Sequence, residues 1–404
     1  MKKRILVITP RFPLPALGAC EKDRFEGIKQ LKRLGFDVQV VGKAFDFQSK
    51  KDIEDFSCQY DIPVTLLPYE SQKKKDGFER LFFYFKRFIN PFYWDGAAYE
   101  YAHKETISTV KKITDEWKPN AAWFDYTYLW PLYGIFQKRK IPIITRSINF
   151  EPTHFLEEDG RTFGNYLKFL PKLISELITI RKSDFLFAIT PDEEKVYKKY
   201  GAKKVAILPL RGLPRCLRER HTFQQKEPLN VFFMGSTYNV RHNKEALRLI
   251  LKDIAPRVIR AHPRAFKFYI LGTKVPEEFN QYFNEYVVYA GRKLDKELDD
   301  FLDIMDIALI PSLMGAGMQQ KIFEPLCCGI PTIISPRGMA GYHFDENKHL
   351  LFARTSNEFT EALTRLRDVL LRKKLSENAQ KLSQELFSQE KIDNTILNVL
   401  NQWV

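Results

Sequence analysis

The chain opens with a rhythm of short apolar runs and longer stretches of helical spacing. Residues 5–9 (ILVIT) form a continuous run that polar positions barely interrupt, the pattern of a strand buried on both faces. A loop with Pro10, Pro13, Pro15 and Gly18 follows. Residues 23–34 then place Phe25, Ile28, Leu31 and Leu34 on one face of a helix, and Gly35 is positioned to end it. Residues 38–41 supply the next strand, which completes a βαβ unit. Further strand signals fall at 64–67, 121–124, 141–145, 185–189 and 205–208, with helical stretches over 166–181 and 191–200. This alternation predicts a mostly parallel, doubly wound sheet.

Residues 209–229 break the rhythm. They hold Pro209, Gly212, Pro214 and Pro228 among many charges and read as a linker. Strand signals then resume at 231–234, 266–271, 287–289, 307–310 and 332–334. Helices are expected over 244–261, 296–302, 319–328, 356–371 and 374–387, and a last helix over 392–404. The expected architecture is α/β, with two Rossmann-like doubly wound domains facing each other across a cleft. One spans 1–208, joined by the C-terminal helix 390–404, and the other spans 230–389. Ligands in such folds bind at the carboxyl ends of the strands.

Composition narrows the class. A chain of 404 residues, 44% hydrophobic and 28% charged, suits two soluble globular domains. No apolar run approaches the roughly 20 residues of a membrane span, and the N-terminus lacks the form of a signal peptide. Five cysteines show no metal spacing, and Cys327 and Cys328 read as small core residues on a helix, which fits a reducing, cytoplasmic setting. The net charge of +14 suits nucleic acid, an anionic membrane face or phosphate-bearing substrates. The basic residues are spread and no nucleic-acid motif is present, so nucleic acid is not an expected partner. Residues 73–94 (KKKDGFERLFFYFKRFINPFYW) are aromatic and basic together. Two readings stay open for them: a helix at an anionic membrane interface, placing the protein peripherally at the inner face, or an aromatic core helix under a solvated basic turn.

The chemistry gathers in residues 305–335 (MDIALIPSLMGAGMQQKIFEPLCCGIPTIIS). A strand ends in Pro311, a turn carries Gly315, Ala316 and Gly317, and a helix then bears Lys321 and Glu324 three residues apart, on one face. Backbone N–H groups at a helix N-terminus attract anions. A cation beside them suits a diphosphate, and a carboxylate suits the diol of a ribose. A surface helix with an ordinary Lys321–Glu324 ion pair is the alternative.

This segment resembles the retaining GT-B glycosyltransferases of family 4, whose helix carries two glutamates eight apart before a small residue, Gly, x, Pro and an apolar strand. Glu324, Gly329 and Pro331 match, and the first glutamate would fall at Ala316. Related sugar transferases carry a Gly-x-Gly…Lys-x-x-Glu version, met by Gly315, Gly317, Lys321 and Glu324. Residues 232–236 (FFMGS) and 243–247 (NKEAL) resemble the family's strand, glycine turn and Asn-led helix. Gly235 is there expected to admit a close ligand, Asn243 to cap the helix, and Arg241 or Lys244 to meet the diphosphate. Residues 289–292 (YAGR) resemble the base-binding loop, with Arg292 as its candidate. Gly18 resembles the family's first-loop glycine. Asp125 stands where many relatives place a histidine facing the sugar. Residues 146–151 (RSINFE) resemble an Arg-Ser-His-Asn-x-Glu segment, with Ile148 for the histidine and Asn149 and Glu151 facing the ligand.

The resemblance implies sugar transfer from a nucleoside diphosphate to a hydroxyl of a glycan or lipid-linked acceptor, in surface polysaccharide or glycan synthesis, with retention. The donor diphosphate then helps deprotonate the acceptor, and neither a metal nor another cofactor is expected. Asp125, Glu151 and Lys321 are the catalytic candidates. Gly18, Gly235, Arg241, Asn243, Arg292, Gly315, Gly317, Met318, Lys321 and Glu324 are the donor-binding ones. A non-catalytic nucleotide-sugar-binding protein and an inverting or epimerase-type enzyme on the same fold are the alternatives. A dinucleotide dehydrogenase is disfavoured, because no GxGxxG follows the first strand.

Overall fold

A computed structural model describes residues 2–72, 76–219, 223–314 and 317–403. The first half runs β1 (Arg4–Thr9), α1 (Ala19–Arg33), β2 (Asp37–Ala44), α2 (Lys50–Tyr60), β3 (Val64–Pro68), α3 (Gly77–Ile89), α4 (Gly96–Tyr101), α5 (Lys104–Trp117) and β4 (Ala121–Phe124). It continues with α6 (Tyr133–Gln137), β5 (Ile143–Arg146), α7 (Glu151–Asp159), α8 (Phe163–Lys182), β6 (Phe185–Ala188), α9 (Pro191–Lys199) and β7 (Val205–Ile207). The second half runs β8 (Leu229–Thr237), α10 (Arg241–Leu249), α11 (Ala255–Ala261), β9 (Phe266–Thr273), β10 (Val287–Gly291), α12 (Asp295–Asp303) and β11 (Ile307–Ile310). It closes with α13 (Gln320–Cys327), β12 (Thr332–Ile334), β13 (Leu351–Phe352), α14 (Ser356–Arg365), α15 (Val369–Phe387) and α16 (Gln389–Trp403).

The chain divides into two compact units, Met1–Arg211 with Ile392–Val404, and Gly212–Lys391. The first holds a sheet in the order β3-β2-β1-β4-β5-β6-β7, and the second one in the order β10-β9-β8-β11-β12-β13. Every strand pair is parallel. In both sheets the strand order turns back beside the first strand, so each unit is doubly wound, as the alternation of strands and helices implies. Strands β1, β4, β5, β6, β11 and β12 are buried almost throughout. This is why they read as unbroken apolar runs.

The core of the first unit joins Ile5 and Val7 of β1, Ile28 and Leu31 of α1, Trp123 of β4 and Phe187 of β6. It also takes Ile392, Ile396, Val399 and Leu400 from α16, spaced as one helical stripe. Arg33 of α1 holds Asp393 through Nη2 at 2.9 Å. The C-terminal helix therefore belongs to the N-terminal unit.

Two helices differ from expectation. The stretch expected as one helix over 244–261 is α10, a π-helical turn at Ile250–Ile254, and α11. Pro256 lacks the N–H that would bond four residues back, and the ladder adjusts ahead of it. The helix expected to reach residue 371 stops at Arg365. Asp368 accepts the Leu370 N–H at 2.8 Å and starts α15 instead.

Candidate functional site

In the C-terminal unit, β8 and β11 lie side by side, and the helices that follow them, α10 and α13, meet through Asn243 and Lys321. The β11–α13 loop carries Gly317 at φ +73°, a left-handed conformation that favours glycine. Met318 is buried, and Gln319 caps α13 without a side-chain hydrogen bond, so no cap side chain covers the first-turn amides, of which that of Ile322 turns back to the Gln319 carbonyl at 3.0 Å. Lys321 donates from Nζ to Asn243 Oδ1 at 2.7 Å and lies 5.6 Å from the Phe233 ring centroid. Among the described residues no carboxylate pairs with it, so the ordinary Lys321–Glu324 ion pair is not formed. Burial lowers its pKa to about 7.

Asn243 corrects one expectation. The cap position of α10 is Val240, and Asn243 lies inside the helix. Its Nδ2 donates to the Thr237 carbonyl at 2.9 Å while Oδ1 receives Lys321, so it ties the end of β8 to α13. Glu324 is buried at 6% exposure. Its Oε2 accepts from Gln320 Nε2 at 3.0 Å and its Oε1 from Cys216 Sγ at 3.6 Å. Burial, and then the Glu324 charge, push the Cys216 thiol well above its usual range, so it stays a protonated donor. Cys216, Gln320 and Phe233 were not singled out from sequence. Only Gln320, at i−4 from Glu324, left a signal in the spacing.

The remaining donor candidates separate. The room left by the missing Cβ of Gly235 is filled by the Tyr238 ring, 2.9 Å from where that atom would stand. Tyr238 is buried and bonds the Leu271 carbonyl at 2.6 Å, so the glycine serves packing inside the protein. Lys244 pairs with Glu278 at 2.9 Å, while Arg241 is exposed at the start of α10. Arg292 is exposed and follows Gly291 at φ +70°. Gly315, like Ala316, lies outside the described residues.

The N-terminal unit holds a buried ion cluster at the carboxyl ends of its strands. Asp23 of α1 accepts the Arg211 backbone N–H at 2.7 Å and Arg211 Nη2 at 2.7 Å, with Arg146 Nη2 at 3.4 Å. Burial works to raise the Asp23 pKa, but Arg211 and Arg146 outweigh it and hold the carboxyl well below its usual range. A Cβ on Gly27 would collide with the Arg211 guanidinium, so this glycine gives the arginine its place. Asp125 is fully buried, and its Oδ1 accepts from Trp123 Nε1 at 2.8 Å and Arg211 Nη2 at 3.2 Å. It is an anchor of this cluster, not a carboxylate turned outward to a sugar as the family position implied. Ile148 is also buried, at 3% exposure. Glu151 opens α7, accepts from Tyr126 at 2.8 Å and pairs with Lys172 at 3.3 Å. Gly18 is the cap residue of α1, in extended conformation.

Within 73–94, Lys73, Lys74 and Lys75 lie outside the described residues. Helix α3 turns its apolar side outward: Phe78, Leu81, Phe82, Phe85, Phe88 and Ile89 are all exposed, Phe78 by 80%. Phe83 stacks on His103, and Arg87 donates to the carbonyls of Tyr93 and Trp94 at 3.1 and 2.6 Å; these hold the helix down. The core-helix reading is thereby overturned. Helix α8 adds exposed Phe163, Tyr166, Leu167 and Leu170, and both helices pack on the turn Pro91–Tyr93. No helix among the described residues is long and apolar enough to cross a membrane.

Residues 228–368 match the model of a family described as glycosyl transferases, group 1. No curated protein matches the sequence. Among solved structures, the chain is similar to sucrose-phosphate synthase from Thermosynechococcus elongatus, at 13% identity and TM-score 0.67 over 99% of each chain. It is similar to Anabaena HepE in complex with UDP and glucose, at 12% identity and TM-score 0.65 over 99% of this chain and 100% of that one. A glycosyltransferase from Rickettsia africae matches at 14% identity and TM-score 0.62, over 99% of this chain and 98% of that one. The paired parallel sheets and the group 1 match over the C-terminal unit together support a glycosyltransferase of GT-B fold.

Proposed function

We propose that the chain transfers a sugar from a nucleoside diphosphate to an acceptor hydroxyl with retention, without a metal, in the synthesis of a surface polysaccharide or glycan. The observation that carries this reading is Lys321, a half-buried ammonium with no carboxylate partner among the described residues, beside the first turn of α13, which no cap side chain covers, and three residues from the buried Glu324. Lys321 and the amides at Gly317 and Met318 receive the leaving diphosphate, and Glu324 orients the ribose. The diphosphate takes the acceptor's proton on the face it leaves, so the protein's part is to stabilise that charge and align the hydroxyl. Arg241 and Arg292 are the further donor contacts, and Asn243 positions Lys321. Glu151 belongs to the acceptor side in the N-terminal unit, Gly18 is a further donor contact, and Asp125 acts through Arg211 as a positioning residue. The HepE structures contain UDP with glucose, or UDP-glucose, and a uridine donor is the first to try.

Thermal-shift screening with UDP-, GDP-, ADP- and dTDP-sugars names the base, since a ligand of the native state raises Tm. With that donor, Glu324→Gln is expected to weaken nucleotide affinity about tenfold to a hundredfold, the loss of hydrogen bonds to a charged group. Unchanged affinity in a folded variant would remove Glu324 from the site. A non-catalytic nucleotide-sugar-binding protein is the second reading, favoured by the enclosed Asp125 and the apolar Ile148. Release of free nucleotide from the bound donor, on transfer or hydrolysis, excludes it.

We further propose that the exposed faces of α3 and α8 rest on an anionic membrane at its cytoplasmic side, where a lipid-linked acceptor is presented. The aromatic positions of α3, with Lys86 on the same helix and Lys168 on α8, suit an interface with acidic headgroups.

A further inference from the structure

The cations enclosed in the N-terminal unit outnumber the carboxylates that answer them. Arg11 pairs with Glu21, Lys43 with Glu100 at 2.5 Å, and Lys172 with Glu151 at 3.3 Å. Arg146 and Arg211 share Asp23 and Asp125. Arg24 of α1 is left over. It is 6% exposed, its Nε is buried without an acceptor, and among the described residues nothing pairs with or hydrogen-bonds its guanidinium.

Its neighbours are mostly aromatic and polar, with Asp125 the one charged group among those that act on it. The guanidinium carbon lies 5.4 Å from the Tyr126 ring centroid. Burial works against its charge, while Tyr128, Cys20, Asp125 and Tyr126 favour it and raise its pKa. Burial holds both phenols protonated far beyond neutral pH and lifts the Cys20 thiol to about 11. Of these four only Asp125 supplies negative charge, and Asp125 is already bonded by Arg211 and Trp123. An isolated buried cation is costly unless something compensates it.

The position of Arg24 says what that something is. Side chains on a helix lean toward its N-terminus, and Cys20, one turn back, is among the groups that act on Arg24. The guanidinium therefore reaches toward the first turn of α1, where the Glu21 carboxylate folds back over Gly18 and is held by Arg11, so that Arg24 is the cation there without a carboxylate of its own. Beside it the Tyr126 and Tyr128 rings stand 4.5 Å apart, flat surfaces of the kind that meet a sugar ring.

We propose that Arg24 and the Tyr126–Tyr128 pair form a subsite for an anionic acceptor, a sugar carrying a phosphate or a carboxylate. This rests on the chain being a sugar transferase, whose donor phosphates are met by Lys321 in the other unit.

The test measures binding to the full chain by calorimetry and thermal shift, with glucose 6-phosphate, glucuronic acid, glucose, inorganic phosphate and UDP. At least one anionic sugar is expected to bind about tenfold or more tighter than glucose, as a charge-assisted contact gives. Inorganic phosphate is expected to raise the Tm. The phosphate arm against the glucuronic acid arm tells which anion the site takes. Arg24→Gln should abolish the preference and the phosphate response, leave UDP affinity unchanged, and raise the ligand-free Tm, because an uncompensated buried charge is gone. Arg24→Lys should keep part of the preference. The subsite is refuted if phosphate and both anionic sugars act alike on the native chain and on Arg24→Gln. It is equally refuted if Arg24→Gln lowers the ligand-free Tm, which makes the arginine structural. A parallel loss of UDP affinity in Arg24→Gln assigns the site to the donor and overturns the acceptor claim. A native chain that prefers the anionic sugars yet binds no nucleotide keeps the anion site and sinks the transferase reading.

Discussion

Lys321 is half-buried and has an amide for a partner where an enclosed ammonium usually has a carboxylate, and this ties its charge to whatever ligand arrives. Its pKa stands at about 7, down from the ordinary 10.5, because burial penalises the charged form. A diphosphate favours the protonated form, so above about pH 7 binding must take up a proton. UDP affinity is then expected to be full below that pH and to fall by up to about tenfold per unit above it. Calorimetry near pH 8, in buffers of different ionisation enthalpy, should show uptake approaching one proton, and Lys321→Met should show none. Affinity that stays level across this range would remove Lys321 from the diphosphate site. The same shift acts on stability with the opposite trend. Between about 7 and 10.5 the unfolded chain holds a proton that the folded one has released, so the lysine's penalty fades as pH rises. Lys321, Glu324 and the glycine ahead of them were legible in sequence because helical spacing shows which residues share a face. The partner of Lys321 was not. Asn243 lies 78 positions away, and the contact exists because β8 and β11 are neighbours in the sheet. Arg24 was equally hidden, since the absence of a partner is a property of packing and leaves no mark on a pattern of residue types.

At the scale of elements, α3 has the more unusual arrangement, with its apolar positions outward and the stripe of Phe83 and Arg87 facing the protein. Sedimentation with vesicles of phosphatidylcholine and phosphatidylglycerol should carry the protein down, and pure phosphatidylcholine should carry much less. Phe85→Glu with Phe88→Glu is expected to weaken this by about tenfold or more while donor affinity stays intact. Equal sedimentation by native and doubly substituted chains would refute a membrane face. Here the sequence was half legible. The period of the apolar residues announces a helix with two unlike sides, but period alone does not say which side faces the core. That depends on Arg87 finding the carbonyls of residues 93 and 94 and on Phe83 meeting His103. The buried strands were plain throughout because both of their faces are covered, whereas the two-residue strand β13 is too short to show any period.

At the scale of the whole molecule, the group that closes the first unit comes from the far end of the sequence. Ile396 of α16 is fully buried among residues of β1, α1 and β6. Ile396→Ala is expected to destabilise that unit by about 2–5 kcal/mol, read as a shift in urea midpoint, with the unfolding of the Gly212–Lys391 unit left where it was. Coincident shifts of both transitions would mean that the units unfold together. The apolar stripe of this helix was visible in sequence; its destination rests on contacts across nearly four hundred residues. A ribosome making this chain therefore lays down Gly212–Lys391 as an unbroken stretch, while the part begun first waits with a bare apolar flank for its closing helix. Synthesis runs from one end, but in this protein the unit begun second is the first to have all its residues, and the interval before α16 emerges is when a chaperone has most to cover.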